Sequence, residues 1–589
     1  MRTKHFINDA DKLVEAALKS QSVVRPDLSL DLGNKILYGP RHAENPSQVA
    51  IISGGGSGHE PSFTGLVGEG VLSASVVGTI FASPSARQVL NAIEGVDGSR
   101  GILVTVMNYT GDVLNFGVAI EKARARNPKL RIEMLVVGDD VGVTRSRAGK
   151  VGRRGIAGTV LVHKITGALA AAGSSLDKVV EVGRLVAANL ASIGVSLNRV
   201  HVPGRPCEQD TQDLLGIDEV ELGMGIHNEA GCGRRSGDDA RLPVLVKDML
   251  QQLLDPNDDE RNYLPKATKD VVVLINNLGA LSVLELGGIV LEVTQQLLQD
   301  YRLNAVRVFS GTFMTSLDGP GFSVSLLNVV DTGVQQTLLD LVDAPSNVSG
   351  WHTIARSNTS MASTFVTTGN SPFSYQGEEL EQTCLECDMG PILAKLGGGL
   401  RALVAAEPDI TRFDAIVGDG DCGTTLKRGA EGIQKALATS RPKNIIKLLS
   451  RITEVVESTM DGTSGALYGI FLNSLLHYFR SHAEVMTVVD RGFWTLALDS
   501  ALTVLSKYTP AQVGDRTMMD ALIPFTLALK ASSDVQHAAS VAKEGALKTR
   551  SMRPGLGRTV YIGNEEAWLG KVPDPGAWGL SEFFEGLVR

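Results

Sequence analysis

The stretch IISGGGSGHEPSF, residues 51–63, decides how the first half of this chain is interpreted. A short apolar run is followed by four glycines within five positions, and then by His59, Glu60 and Pro61. No G-x-G-x-x-G phosphate fingerprint can be drawn through these glycines, because His59 and Pro61 fall where a third glycine is needed. The stretch therefore indicates a strand that ends in a glycine-rich loop, without indicating a nucleotide.

Strand and helix patterns alternate around this loop. In chain order they read QVAII, SARQVLNAI, GILVTV, LNFGVAIEKARA and IEMLVV. Such alternation predicts a mostly parallel sheet covered by helices. Because ligands bind at the carboxyl edge of such sheets, we expect the glycine loop and the NYTGD segment, with Asp112, to face one crevice.

A second α/β part is predicted from about residue 200, and the break between the two parts falls near 195–200. It includes the strand DVVVLIN, the helix VLELGGIVLEVTQQLL and a predicted β-hairpin, AVRVFSGTFMTS and FSVSLLNVV joined by a turn. Residues 344–390 are rich in Ser, Thr and Asn without periodicity, which is typical of a linker. Several segments of residues 391–589 carry i, i+3, i+4 apolar spacing, which predicts an all-helical domain.

Composition and charge limit the kinds of partner that this chain is expected to bind. The 589 residues carry a formal charge of -9, and aromatic residues make up only 5%. Neither a basic stripe nor a stacking surface is evident, so nucleic-acid and anionic-membrane partners are not expected. The first residues lack the apolar region of a signal peptide, and the most apolar stretch, residues 271–293, is interrupted by two asparagines and two glutamates. A cytoplasmic location is therefore predicted.

The helical part contains FDAIVGDGDCGTTLKRGAEG, which sets Asp414, Asp419 and Asp421 on a tight glycine turn. Three carboxylates there repel one another unless a hard cation lies among them, and oxygen ligands of this kind suit Mg²⁺. The alternative is a solvated acidic turn in which one aspartate caps the next helix. A later segment, MDGTSGALYG, has the backbone N–H groups and hydroxyls that suit a phosphate at a helix start, or simply a good cap.

Histidines supply the remaining candidates. His227 lies in LGMGIHNEAG, between small residues and a polar turn, and His59 ends the glycine loop. A histidine taken alone is more often structural than catalytic. The residues by themselves leave two histidines and an aspartate near one possible crevice, and a separate metal–phosphate domain.

Together these motifs resemble one family. ISGGGSGHEP, FASPS, NYTGDVLNFG, GRRGIAGTVLVHKI, LGMGIHNE and GTFMTSLDGPGFS resemble the K domain of dihydroxyacetone kinases. GDGDCGTTL, GTSGALYG, GDRTMMDALIPF and DPGA resemble its helical L domain. The resemblance covers residues 1–343 and 391–589 and implies the single-chain, ATP-dependent type, with a two-part α/β region followed by a barrel of eight helices.

The resemblance implies a role for each part of the crevice. Backbone groups of Gly56, Ser57 and Gly58 would hold a triose. His227 would attack its ketone to give a covalent hemiaminal, which orients a small substrate. Asp112 and His59 would hydrogen-bond the hydroxyl that attacks phosphorus, as general base or orienting groups.

For the helical domain, the resemblance implies that Asp414, Asp419 and Asp421 hold two Mg²⁺ ions that bridge the ATP phosphates. The residues implied around the nucleotide are Cys422, Gly423, Thr424, Thr425, Thr463, Ser464, Met518, Arg558, Asp574, Pro575 and Gly576. Homodimers are implied, in which the helical domain of one chain covers the triose site of the other.

Some positions depart from the family pattern. Met107 stands where a lysine near the triose is usual, and because it follows a strand we expect its side chain to reach the substrate crevice. Asp461 replaces a glycine close to the phosphates, and Thr79 replaces an acidic residue.

The sequence thus predicts an enzyme that phosphorylates dihydroxyacetone, and also glyceraldehyde, with ATP. Two alternatives stay open. The helical domain could act as a lyase that converts FAD to cyclic FMN, or the chain could be a triose-binding regulatory protein with weakened catalysis.

Overall fold

A computed structural model describes residues 4–40, 48–205, 215–265, 268–352, 385–484, 487–556, 560 and 565–589. The chain divides into two compact units, Met1–Thr367 and Thr368–Arg589. The first unit is α/β and the second is mainly helical, which confirms the predicted fold class. Only residues 344–352 and 385–390 of the predicted linker are described. Among the described helices, none is both long and apolar enough to cross a bilayer.

A six-stranded sheet opens the first unit. Its strands are β1 (Ser29–Asp31), β2 (Ile36–Tyr38), β3 (Ala50–Ser57), β4 (Ala74–Ile80), β5 (Ile102–Met107) and β6 (Ile132–Val137). Their spatial order is β1-β2-β4-β3-β5-β6. The four neighbouring strands β4, β3, β5 and β6 run parallel to one another. The prediction of a mostly parallel sheet is confirmed.

Helices cover both faces of this sheet. The helices of this part of the chain are α1 (Ala10–Val24), α2 (Ala86–Gly95), α3 (Thr110–Arg126), α4 (Arg145–Ala148), α5 (Thr159–Ala171) and α6 (Leu176–Ala188), of which α2 and α3 cover one face and α5 and α6 the other. Neighbouring residues of a strand point to opposite faces, so Ile51 packs in the core of α5 and α6, whereas Ile52 packs in the core of α2 and α3. Burial on both faces explains why the sequences of β3 and β5 consist mainly of apolar residues and glycines, without a polar face.

A second six-stranded sheet completes the first unit. Its strands are β7 (Leu190–Ser196), β8 (Glu219–Leu222), β9 (Gly233–Ser236), β10 (Asp270–Asn277), β11 (Asn304–Gly311) and β12 (Gly321–Asn328). Its helices are α7 (Leu242–Leu254), α8 (Val283–Gln299) and α9 (Leu338–Val342). The order is β11-β10-β12-β7-β8-β9, and only β10 and β11 are parallel neighbours among these described strands.

The predicted hairpin of β11 and β12 is wrong. Both strands form, but β10 lies between them and pairs with each. The nine residues 312–320 do not close a tight turn; they extend toward the glycine loop, where the Thr315 N–H donates to the His59 carbonyl (3.1 Å). These residues, predicted to form a turn, instead pack against the glycine loop that carries His59.

The second unit is a ring of helices. Its elements are β13 (Leu385–Glu386), α10 (Met389–Val417), α11 (Cys422–Thr439), α12 (Ile445–Thr459), α13 (Gly462–Ser481), β14 (Thr487–Val488), α14 (Arg491–Leu505), α15 (Met519–Ser532), α16 (Val535–Lys548), α17 (Glu565–Trp568) and α18 (Pro575–Gly586). Each long helix contacts the next one along the chain, and α18 contacts α10, which closes a ring of eight. The ring encloses an apolar cavity of about 480 Å³.

Candidate active site

The glycines after Ile52 allow the backbone of β3 to pack directly against neighbouring backbone. A Cβ on Gly54 would lie 1.9 Å from the Val76 carbonyl oxygen, and a Cβ on Gly56 would lie 2.8 Å from the Ala82 nitrogen. Glycine therefore lets β3 approach the backbone of β4 and of the segment after it. Gly58 adopts a φ of 99°, a region that favours glycine.

The last residues of the loop are already paired. The Ser57 hydroxyl donates to a carbonyl of β4 (2.8 Å), and the Gly58 N–H donates to the Glu60 carboxylate (2.9 Å). The Gly58 carbonyl accepts from the Leu317 N–H (2.7 Å). These bonds fix the loop that carries the first histidine. Direct triose contacts of Ser57, Gly58 and Gly56 stay a prediction.

The two candidate histidines meet in this crevice. The Nε2 atoms of His59 and His227 lie 3.0 Å apart, with the rings at 81° to each other. His59 Nδ1 lies 2.8 Å from the Thr315 carbonyl oxygen, and His227 Nδ1 lies 2.9 Å from Glu229 Oε1. A carbonyl and a carboxylate accept hydrogen bonds and cannot donate them, so each Nδ1 carries a hydrogen.

Two neutral rings with hydrogen on each Nδ1 would bring two Nε2 lone pairs together, so the 3.0 Å contact is suited to one shared proton. Burial, and then the charge of His227, lower the pKa of His59 to about 3. Burial favours a raised pKa for Glu229, but hydrogen bonds from His227 outweigh it and lower the pKa to about 2. The carboxylate beside His227 is therefore ionised.

Asp112 lies in the first turn of α3, and its side chain is buried. Burial raises its pKa to about 6, although a hydrogen bond with Ser83 and the charge of His227 oppose the rise. Its Oδ1 is buried and has no hydrogen-bond partner among the described residues. A carboxylate with unused acceptor capacity and a pKa near neutrality is suited to accept a proton from a hydroxyl.

Aromatic rings wall the pocket, and the sequence interpretation assigned them no role. Phe81 stacks on His59 with centroids 5.2 Å apart, and it has a positive φ of 61°, which is uncommon for a bulky residue. Phe81 and Tyr109 both present ring contacts to His227, at 5.2 and 4.8 Å between centroids. Phe81 belongs to FASPS, a motif that enters only through the resemblance, whereas NYTGD was expected at the crevice without a role for Tyr109.

Met107 is buried beneath the loop. It is the last residue of β5, is 1% exposed and belongs to the core shared with α5 and α6. Its methyl carbon lies 3.9 Å from the place that a Cβ on Gly55 would occupy, and its Cβ lies 2.8 Å from the corresponding place on Gly155. The side chain thus packs in the core, in contrast to the expectation that it reaches the crevice.

Replacing Met107 with lysine is therefore expected to destabilise the first unit without a kinetic gain. A buried ammonium with no partner costs several kcal/mol, so we expect the melting temperature to fall by on the order of 5 °C or more. Thermal unfolding followed by calorimetry measures this. Met107→Leu, which nearly conserves volume, should cost less than about 1.5 kcal/mol. A Met107→Lys protein that melts normally and turns over dihydroxyacetone faster would contradict the buried placement.

The second unit brings the three candidate metal ligands together. Carboxylate oxygens of Asp414, Asp419 and Asp421 all lie within 4.8 Å of one another. Asp414 is buried at the end of α10, where its Oδ2 accepts the Cys422 N–H (2.9 Å), while the other two are exposed. This set of hard oxygen donors fits Mg²⁺.

Three helix N-termini converge beside these carboxylates. The Cys422 thiol at the start of α11 interacts with the hydroxyl of Ser464 at the start of α13, and with the charge of Asp574 at the start of α18. Asp574 caps α18 by accepting the Ala577 N–H (2.8 Å), and burial raises its pKa to about 6. Helix N-termini carry partial positive charge and unpaired N–H groups, which suit an anionic polyphosphate.

Most of the residues predicted to surround a nucleotide lie at the N-termini of these three helices. Met518 is close to Gly576, since a Cβ on Gly576 would lie 3.5 Å from the Met518 Cβ. The predicted residues at the three N-termini are Cys422, Gly423, Thr424, Thr425, Thr463, Ser464, Asp574, Pro575 and Gly576. Arg558 lies outside the described residues. Asp461 precedes α13 and pairs with Arg428 at 2.8 Å, which offsets its charge.

Comparison with known proteins identifies a family for each part of the chain. Residues 20–350 match the Dak1 domain and residues 416–589 match the DAK2 domain. The chain therefore belongs to the class of proteins that join a Dak1 domain to a DAK2 domain, the dihydroxyacetone kinase family.

Several relatives match this chain over nearly their full length. The dihydroxyacetone kinase of Pichia angusta is 40% identical over 613 residues, covering 100% of this chain and 98% of that protein. The human triokinase/FMN cyclase is 35% identical, covering 100% and 99%. The crystal structure of the C. freundii dihydroxyacetone kinase in complex with AMP-PNP and Mg²⁺ is similar with a TM-score of 0.63 and 32% identity, covering 100% and 99%.

Proposed function

We propose that this protein transfers the terminal phosphoryl group of ATP to dihydroxyacetone, and also to glyceraldehyde. The observation that carries the proposal is the contact between His227 and His59 near the buried Asp112, whose pKa the charge of His227 influences, in a chain related over its full length to dihydroxyacetone kinases. A coupled assay of ADP release from MgATP, with and without triose, tests it. A cytoplasmic location stays a prediction.

His227 binds the triose covalently in this proposal. The shared proton moves across the 3.0 Å contact to His59, which frees the lone pair of His227 Nε2. That lone pair forms a bond to the carbonyl carbon, and the carbonyl π electrons move to oxygen, which takes the proton from His59. The product is a hemiaminal on a cationic imidazole ring, and no proton is exchanged with solvent.

Asp112 acts as the general base for the hydroxyl that attacks phosphorus. Its carboxylate must be ionised, and its pKa is raised to about 6 by burial. We expect kcat/KM for dihydroxyacetone to fall as the pH drops through about 6, with a plateau above it. A pH profile of kcat/KM measures this, with Asp112→Asn as the variant that should lack most activity at every pH. A flat profile between pH 5 and 8 would argue against this role.

Asp414, Asp419 and Asp421 would hold two Mg²⁺ ions, whose charge neutralises the ATP phosphates during transfer. The helix starts around Cys422, Ser464 and Asp574 would surround the phosphates. The buried Asp414 fixes one carboxylate through its bond to the Cys422 N–H, so at least one ligand is oriented in advance.

We further propose a homodimer in which the helical unit of one chain serves the triose site of the other. The test mixes two variants of low activity, His227→Ala and Asp419→Asn, under conditions that exchange subunits. If the site forms between chains, a mixed dimer pairs an intact triose site with an intact helical unit, and we expect activity to return. Activity that stays absent in verified mixed dimers would place each site within one chain.

The chain's 35% identity to a triokinase/FMN cyclase favours one second activity. The helical unit would then convert FAD to cyclic FMN, and chromatography of FAD incubated with Mn²⁺ and protein would reveal the product. A triose-binding regulatory protein is the other alternative. It would bind dihydroxyacetone without releasing ADP from MgATP.

A further inference from the structure

We propose that Glu229 is the positioning residue that makes His227 Nε2 the nucleophile, by holding the proton of the ring on Nδ1. The inference rests on the proposed function, because it concerns the atom that binds the triose. Neither the sequence motifs nor the resemblance assigned Glu229 a role.

Glu229 binds the same residue with both of its carboxylate oxygens. Oε1 accepts the His227 Nδ1–H (2.9 Å), and Oε2 accepts the backbone N–H of His227 (2.8 Å). Ring rotation and tautomer are therefore set by one side chain. With Nδ1 bearing hydrogen, the lone pair that can attack a carbonyl carbon is on Nε2, which faces His59 and the pocket.

The loop around His227 is anchored without Glu229. Arg154 pairs with Asp140 (2.6 Å) and donates to the Gly223 carbonyl (2.9 Å). The Ser316 hydroxyl donates to the Ile226 carbonyl (2.6 Å). Because these contacts persist when the carboxylate is changed, Glu229 can be replaced by an isosteric amide without loss of the loop.

An amide at this position reverses the tautomer. The backbone N–H of His227 can only donate, so the glutamine oxygen of Glu229→Gln must face it. The NH₂ group then faces Nδ1. Because this group can only donate, Nδ1 must accept the hydrogen bond, and the ring hydrogen moves to Nε2. There it donates to His59 Nε2 across the 3.0 Å contact. The result is a neutral, fully hydrogen-bonded pair in which His227 has no lone pair to offer the triose.

Glu229 also matches the charge of the adduct. When Nε2 bonds to the carbonyl carbon and Nδ1 keeps its hydrogen, the ring carries one positive charge. The carboxylate faces that charge directly, as the aspartate of a Ser-His-Asp triad faces its imidazolium. Loss of the carboxylate in such a triad, with retention of shape, slows reaction by roughly 10⁴-fold.

The experiment compares wild type and Glu229→Gln by ¹⁵N NMR of histidine-labelled, triose-free protein. The His227 resonances are assigned by their disappearance in His227→Ala. We expect a hydrogen on Nδ1 in wild type and on Nε2 in Glu229→Gln. Asp248→Asn, which removes a carboxylate paired with Arg235, should leave the wild-type tautomer. Adduct formation with [2-¹³C]dihydroxyacetone is measured on the same samples, and should slow at least about a hundredfold in Glu229→Gln.

The possible results either support or overturn the proposed positioning role of Glu229. An Nε2–H ring together with a lost adduct in Glu229→Gln, at an unchanged melting temperature, supports the proposal. A lost adduct with hydrogen still on Nδ1, or a wild-type ring without hydrogen on Nδ1, overturns it, and the wild-type measurement needs no variant to fold. Absence of an adduct in wild type contradicts the proposed function instead, while the tautomer comparison is unaffected.

Discussion

Replacing His227 with alanine is expected to abolish the covalent triose adduct and to lower turnover on the order of a hundredfold or more. Of the two described histidines in contact in the pocket, His227 is the one whose Nδ1 faces a carboxylate, which can balance the positive charge of a ring bonded to the carbonyl carbon. Without the covalent bond, the small triose samples many orientations, which removes the benefit of a fixed geometry. Residual activity is expected, since Asp112 and His59 still orient the hydroxyl.

The adduct is measured directly with [2-¹³C]dihydroxyacetone, whose carbonyl resonance is replaced by that of a tetrahedral carbon when the hemiaminal forms. His537→Ala is the matched control, because His537 is an exposed histidine of α16 in the second unit. The control should form the adduct normally. A tetrahedral resonance that persists in His227→Ala would assign the nucleophile to another residue.

Replacing Asp419 with asparagine is expected to remove MgATP-dependent turnover while triose binding is unchanged. Three carboxylates within 4.8 Å repel one another unless a cation balances them, and each contributes to holding that cation. Loss of metal-assisted charge neutralisation costs several kcal/mol at the transition state, which corresponds to on the order of a thousandfold in rate. His227 lies in the first unit, so the ¹³C adduct should form normally.

Calorimetry of MgATP binding and the turnover rate test this prediction together. Asp409→Asn is the control, because Asp409 is an exposed aspartate of α10 that pairs with Arg412. Unchanged MgATP binding and turnover in Asp419→Asn would mean that the acidic turn only caps α11.

Much of the first unit is predictable because its central strands, such as β3, β5, β7 and β12, are buried on both faces. Continuous apolar runs such as β5 and β10 occur only where helices cover a sheet, and the turns after them are polar. Strand order is a different matter. The hairpin prediction failed because periodicity identifies β11 and β12 as strands without identifying partners, and β10, 27 residues earlier along the chain, separates them in the sheet.

The acidic turn was predictable for a local reason. Asp419 and Asp421 lie two residues apart on a glycine turn, so the chain itself brings them together, and Asp414 is one short helical stretch away. The histidine pair is not local: 168 residues separate His59 from His227. The residue patterns left both histidines near one possible crevice, and only the motif resemblance gave each of them a role there.

The sequence does not determine in which direction a side chain points, which is why the contact of Glu229 and the burial of Met107 were not predicted. Glu229 is two residues from His227, yet whether a carboxylate at that spacing reaches Nδ1 depends on the turn between them, where Asn228 has a φ of 65°. Met107 ends a strand, and the alternation of a strand leaves two possible faces for its side chain. The sequence places the loop after Met107 correctly, but the close packing of Gly55 and Gly155 decides that Met107 points inward.

The most direct test of the account is ³¹P NMR of the purified full chain incubated with MgATP and dihydroxyacetone. We predict a phosphate-ester resonance of dihydroxyacetone phosphate that grows in step with ADP and requires both substrates. ADP that accumulates equally without the triose, or a triose that remains unphosphorylated while its adduct is visible by ¹³C NMR, would contradict the claim that the chain is a dihydroxyacetone kinase.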